Sequence, residues 1–63
     1  MSKIVKVRGW VSGSAGNCSE ISIVKEKILC IENDDVHGVT IHLEGGVCVR
    51  THEPYYKVLD LIR

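Results

Sequence analysis

The segment from Val39 to Thr51 alternates apolar and polar residues on both sides of Glu44-Gly45-Gly46. Because the side chains of a strand point alternately to the two faces of a sheet, this pattern predicts a β-hairpin with one apolar face. A three-residue loop over 44–46, with a glycine at positive φ, places Ile41 opposite Val49. A two-residue loop would instead place Arg50 on the buried face, and burying an unpaired guanidinium is costly. The sequence therefore predicts the three-residue loop.

The predicted register sorts the side chains of the hairpin onto two faces. The apolar face carries three opposed pairs, which are Leu43 with Val47, Ile41 with Val49, and Val39 with Thr51. The polar face carries Thr40, His42, Cys48, Arg50 and His52. The apolar face must pack against another part of the chain, since burial of apolar surface is the main favourable term in folding.

Another strand is predicted over Ile4–Val11, which also alternates in polarity. One face carries Val5, Val7 and Val11, and the other carries Ile4, Lys6, Arg8 and Trp10. Gly9 falls on the valine face, where it indicates a bulge or close packing. The segment Ser12–Asn17 is rich in glycine and serine and predicts a loop.

The stretch from Ser19 to Ile31 allows two interpretations. Its β-branched residues and its alternation favour two short strands, or one strand bent at Lys25–Lys27. A single helix from Glu20 to Ile31 is the alternative, because the apolar residues also recur at helical spacing. A turn over 32–38 follows, since its asparagine, aspartate and glycine residues are typical of turns.

The last residues predict a helix that begins with Pro54 at its first position, where no amide hydrogen is needed. Apolar residues at helical spacing form one stripe along it: Tyr55, Val58, Leu59 and Ile62. A helix this short is not stable alone in water, so we expect it to lie on the apolar face of the sheet. That face is predicted to consist of Val5, Val7, Ile21, Ile23, Ile28 or Leu29, Val39, Ile41, Leu43, Val47 and Val49.

These elements predict a single small domain over residues 1–63 of the α+β class. We expect an antiparallel sheet of about four strands, a β-meander, with one C-terminal helix packed on one face. The formal net charge is zero, whereas a dedicated nucleic-acid binder is usually strongly basic. Three cysteines without a CxxC pair, no signal peptide and no apolar stretch of bilayer length predict a cytoplasmic protein that does not enter a membrane.

Two chemical sites are conceivable on the polar face of the hairpin, where His42 and Cys48 are cross-strand neighbours. A zinc site needs converging ligands, whereas side chains on a flat strand point outward in parallel. A thiol–imidazole nucleophile needs a pocket, and a domain of this size with one thin sheet has little room for one. We therefore predict no catalytic residue, no cofactor and no metal ligand.

The same polar side of the sheet is predicted to be an interaction face. Lys6, Arg8 and Trp10 share one face of the first strand, and His42 and Arg50 lie on the polar face of the hairpin. Tryptophan and arginine are common anchors of protein interfaces. Basic residues beside an aromatic ring are also what single-stranded nucleic acid or a phosphate ligand would use. The zero net charge favours a protein interface.

From Ile21 to Ile62 the chain resembles the small FlbD/SwrD-type bacterial motility proteins. The matching segments are Ile28-Leu29-Cys30-Ile31-Glu32, the hairpin around Glu44-Gly45, and Tyr55–Ile62. The hairpin is also similar to part of LytTR-type DNA-binding domains, which share the cadence V-x-I-x-L-x-x-G. The loop Ser12–Asn17 departs from the motility proteins. The resemblance implies a small non-enzymatic bacterial or phage accessory protein, and it assigns no functional residue.

The sequence thus predicts an interaction or regulatory module that acts as a homo-oligomer through the face bearing Lys6, Arg8, Trp10, His42 and Arg50. A further protein partner is compatible with this prediction. The alternative is a nucleic-acid or phosphate-ligand binding protein that uses the Lys6, Arg8 and Trp10 part of the same face.

Overall fold

A computed structural model describes residues 3–13, 18–36 and 38–63 of the chain. It contains an antiparallel sheet and one C-terminal helix, so the α+β class is confirmed. The elements are β1 (Ile4–Val11), β2 (Ser19–Val24), a 3₁₀ turn (Lys25–Lys27), β3 (Ile28–Asp34), β4 (Gly38–Leu43), β5 (Cys48–Thr51) and α1 (Tyr55–Ile62). The predicted loop Ser12–Asn17 falls mostly outside the described residues, as does His37 of the predicted turn.

The sheet has five strands in the order β2-β1-β5-β4-β3, one more than the sequence predicts. Only β3, β4 and β5 form a meander. β1 and β2 form a separate hairpin, and β1 joins the meander through β5. The fifth strand arises because the stretch 19–31 forms two strands that a 3₁₀ turn separates, as the first interpretation has it, rather than one helix.

The β4–β5 hairpin has the predicted register. Val39 pairs with Thr51, Ile41 pairs with Val49, and the Leu43 N–H donates to the Val47 carbonyl oxygen at 2.8 Å. Gly45 and Gly46 have φ values of 90° and 81°, which only glycine adopts at low cost. The three-residue loop is therefore confirmed, and Arg50 lies on the face opposite to the buried side chains of Val49 and Thr51.

The junction between β1 and β5 depends on two small residues. Gly9 pairs with Thr51, and a methyl group at Gly9 would overlap the Arg50 carbonyl oxygen, so the two backbones approach closely there. The Thr51 hydroxyl donates to the Arg8 carbonyl oxygen at 2.6 Å and accepts from the Glu53 N–H at 3.1 Å. The hydroxyl thus extends the β1–β5 contact past the last residue of β5, where the chain turns toward α1.

The core lies between the inner face of the sheet and α1, and its buried apolar residues are Val5, Val7, Ile23, Val39, Ile41, Val49 and Val58. The α1 helix begins one residue later than predicted, with Pro54 as its N-cap in an extended conformation. Val58 of the predicted stripe is fully buried. Leu61, which the stripe leaves out, also packs against the core. The helix therefore turns a slightly different side to the sheet than its spacing predicts.

Two residues that the sequence offers for the core, Leu29 and Val47, are exposed, and so is Val11, which shares the valine face of β1. Leu29 is 69% exposed because the β3–β4 register shifts between Ile28 and Cys30, and Ile28 takes the inward position. Val11 and Val47 lie at the end of β1 and beside the hairpin loop, and they are 39% and 42% exposed. The predicted turn over 32–38 is shorter than expected, because β3 continues to Asp34.

Candidate interaction face

The outer face of the sheet, which α1 does not cover, carries all five predicted interaction residues. Lys6, Arg8 and Trp10 alternate along β1 with the buried residues Val5, Val7 and Gly9. His42 and Arg50 alternate with buried residues of β4 and β5. We call this surface the outer face and define it by Lys6, Arg8, Trp10, His42 and Arg50.

A cross-strand row forms the centre of the outer face. Trp10 pairs with Arg50, Arg50 pairs with Thr40, and Thr40 pairs with Glu32 on β3. Thr40 is only 6% exposed although it points away from the core, because it lies between Arg50 and Glu32 in this row. Arg50 is half-buried, and its Nε atom is buried without a hydrogen-bond partner among the described residues.

Trp10 is also half-buried, and its ring packs against the His52 imidazole with centroids 4.9 Å apart at 49°. The indole is therefore held by His52, on the segment that follows β5. A tryptophan ring that already packs against a neighbour loses little conformational freedom on binding, which favours its use as an anchor.

The next row contains the Cys48 thiol and the His42 imidazole, and the Glu32 carboxylate of the first row reaches the imidazole. His42 Nδ1 lies 3.4 Å from Cys48 Sγ, and His42 Nε2 lies 3.2 Å from Glu32 Oε1. Cys30 is exposed and pairs with His42 on the side of β3. Glu32 fixes the orientation of the imidazole toward Cys48, so the arrangement holds His42 at a defined position on the outer face.

Lys6 and Arg8 lie apart from this centre. They occupy the part of β1 that pairs with β2, where Lys6 lies opposite Ser22 and Arg8 lies opposite Glu20. Both side chains are exposed. The structure therefore places Trp10 and Arg50 side by side and His42 in the adjacent row. Lys6 and Arg8 lie at one side of the outer face.

Sequence reasoning left Glu32 out of the outer face, and it did not predict the burial of Thr40, which it placed on the polar face of the hairpin. Glu32 was expected in a turn, but β3 extends far enough to pair it with Thr40 and to bring its carboxylate to His42. The alternation of Glu32 with Ile31 at the end of an apolar stretch is the signal that could have found it. Thr40 is buried because it lies between the long side chains of Arg50 and Glu32 on the neighbouring strands. The residue pattern of one strand does not show which residues flank it on the others.

The structure also bears on three other kinds of site: a ligand pocket, a metal site and a membrane-spanning helix. An open groove of about 330 Å³ lies between β3 and α1, and none of Cys48, His42 and Glu32 lines it. Within residues 3–13, 18–36 and 38–63, no group of three His, Cys, Asp or Glu side chains is placed to hold a metal ion. In the same ranges, no helix has the length and apolar content needed to cross a bilayer.

Comparison with known proteins gives no relative from which a role could be transferred. No family model matches the sequence, and no curated protein and no solved structure matches it either.

Proposed function

We propose that this chain is a small non-enzymatic interaction and regulatory module that acts as a homo-oligomer in the cytoplasm and uses its outer face as a protein-binding surface. The observation that carries the proposal is the contact row of Trp10 with Arg50, flanked by His52 and Thr40. Half-buried tryptophan and arginine side chains with polar residues around them are typical of protein interfaces.

The proposal extends to the class of protein. The segments that resemble FlbD/SwrD-type proteins correspond to β3, to the β4–β5 hairpin and to α1, which form a contiguous part of the fold. This supports a bacterial or phage accessory protein, with the outer face as the surface through which it acts.

Nucleic-acid or phosphate binding through Lys6, Arg8 and Trp10 is the second candidate. The exposed cations beside an indole favour it. Acidic residues lie among the cations, however, because Glu20 pairs with Arg8, and Glu32 contacts His42. A phosphate backbone would meet these carboxylates, so the mixed charge favours a protein surface.

The test measures self-association by sedimentation velocity over a range of concentrations, for the wild type and for Trp10→Ala. We expect the wild type to sediment as an oligomer and Trp10→Ala to associate roughly tenfold more weakly, since an anchor at an interface centre contributes more than 1 kcal/mol, or about tenfold in affinity. Tyr56→Ala is the matched control, because Tyr56 is an aromatic residue that is 71% exposed on α1.

Circular dichroism must show that both variants keep the fold of the wild type. A wild-type monomer whose binding to a single-stranded oligonucleotide weakens with salt, and is lost in Trp10→Ala, would replace this proposal with the second candidate.

A further inference from the structure

The outer edge of β3, with which none of the described strands pairs, faces a groove lined mainly by apolar side chains. β3 is the last strand of the sheet and pairs on one side with β4. The groove beside it is open and has a volume of about 330 Å³. Its apolar lining consists of Ile28, Leu29 and Ile31 from the strand and of Tyr55, Leu59 and Ile62 from α1. Leu29 and Tyr55 are 69% and 37% exposed, so apolar surface remains open to solvent along this edge.

The backbone groups that point outward from the edge of β3 can be assigned from the register. The Leu43 N–H donates to Val47 of β5, so the alternate residues Thr40 and His42 direct their backbone groups to β3. Their partners Glu32 and Cys30 bond back to β4. Ile31 and Asn33 therefore direct their N–H and carbonyl groups away from the sheet. Such an edge is a template for an added strand.

The charges along β3 are complementary to those of a second copy of the same strand. Lys25 and Lys27 precede β3, Asp34 ends it, and Asp35 follows it. An antiparallel partner that overlaps the whole strand Ile28–Asp34 places Ile31 on the two-fold axis. Lys27 of each copy then lies opposite Asp35 of the other, whereas a parallel arrangement would bring like charges together.

We propose that two copies of this chain associate by antiparallel pairing of their β3 edges, with each β3 seated in the groove beside α1 of the other copy. The inference rests on the proposed function only in taking the chain to be a homo-oligomer, and it assigns an interface between copies that is separate from the outer face. The interface is isologous, so it closes as a dimer.

The test is sedimentation velocity of Asn33→Pro. Proline lacks the N–H that pairing with a second copy would use, and an edge strand tolerates it where that N–H points to solvent. Ser22→Pro is the matched control on the other edge of the sheet. Because Val5 and Val7 bond to Ile23 and Ile21, Ser22 also directs its N–H outward. We expect Asn33→Pro to weaken dimerisation roughly tenfold or more and Ser22→Pro to leave it unchanged.

A charge exchange tests the register without altering the backbone. Lys27→Asp and Asp35→Lys should each weaken the dimer, and the double variant should restore much of it, because both residues are exposed and the exchange recreates opposite charges. The 3.3 Å ion pair of Lys27 with Glu44 is lost in Lys27→Asp and in the double variant alike, so the comparison of these two isolates the contact with Asp35. This series also decides the question if Asn33→Pro does not fold, which circular dichroism will show.

The outcomes separate this interface from the outer face. A monomeric wild type, or an Asn33→Pro variant that folds and keeps the wild-type mass, overturns the β3 pairing. If Trp10→Ala dissociates the oligomer while Asn33→Pro does not, the outer face joins the copies and the β3 pairing is wrong. If Asn33→Pro and the single charge variants dissociate it while Trp10→Ala does not, the β3 pairing is supported and the outer face does not join the copies.

Discussion

Replacing Gly9 by alanine should break the junction that holds the two halves of the sheet together. The added methyl group would overlap the Arg50 carbonyl oxygen and would lie 3.0 Å from the Arg50 carbonyl carbon and from the Thr51 Cα atom. All three atoms belong to backbone, so no side-chain rotation relieves the overlap. The β1 and β5 backbones must move apart.

The cost follows from the hydrogen bonds that cross this junction. Separation weakens the bond from the Ser12 N–H to the Cys48 carbonyl oxygen at 2.8 Å and the bond from the Thr51 hydroxyl to the Arg8 carbonyl oxygen at 2.6 Å. It also weakens the pairing of Trp10 with Arg50. At roughly 1 kcal/mol for each net hydrogen bond, the free energy of unfolding falls by about 3 kcal/mol. The total free energy of unfolding of a domain of this size is roughly 3–5 kcal/mol, so a large fraction of the Gly9→Ala molecules should be unfolded.

Urea denaturation at 25 °C, followed by Trp10 fluorescence and by far-ultraviolet circular dichroism, measures this loss. Gly45→Ala is the matched control, because Gly45 has φ 90° but, apart from its two chain neighbours, no described residue has an atom within 4 Å of an added methyl group. It should cost only the backbone strain, roughly 1–2 kcal/mol. If Gly9→Ala costs no more than Gly45→Ala, the close approach of β1 and β5 is not as described.

Three further predictions concern individual contacts. Thr51→Val should lower the free energy of unfolding by about 1–3 kcal/mol, because it leaves the Arg8 carbonyl and the Glu53 N–H without their partner, and Thr51→Ser should keep most of the stability in the same urea titration. Val58→Ala should cost about 2 kcal/mol by thermal or urea denaturation, because Val58 is 0% exposed and its truncation leaves a cavity under α1. Lys27→Ala should cost less than about 1 kcal/mol, since the 3.3 Å ion pair with Glu44 joins side chains that are 61% and 62% exposed, and a loss beyond that in a double-mutant cycle would contradict this assignment.

Local pattern was enough to predict the parts of the fold whose pairing is fixed by neighbouring residues. The limits of β1 and the register of the β4–β5 hairpin followed from alternation and from two glycines. The free-energy cost of burying Arg50 favoured the three-residue loop over the two-residue loop, and the structure has Arg50 on the outer side. In these segments, once one face is assigned to the core, alternation fixes the face to which every other side chain points.

Long-range pairing was not accessible in the same way. The strand order, with β1 beside β5, brings together residues far apart in the chain, and no local pattern encodes it. The shift at Leu29 is a similar case, since it changes which of two adjacent apolar residues points inward. Glu32 reaches His42 for the same reason, because the contact depends on how β3 pairs with β4.

The placement of β1 between β2 and β5 has a consequence for how the chain acquires its fold. Arg8 and Thr51 are 43 residues apart in sequence, so the second side of β1 stays unpaired until those residues have been made. The two hairpins form from near neighbours, whereas their union closes a long loop and carries its entropy cost. Closure of that loop should therefore limit the folding rate. During synthesis, β1 emerges from the ribosome long before the strand that completes it.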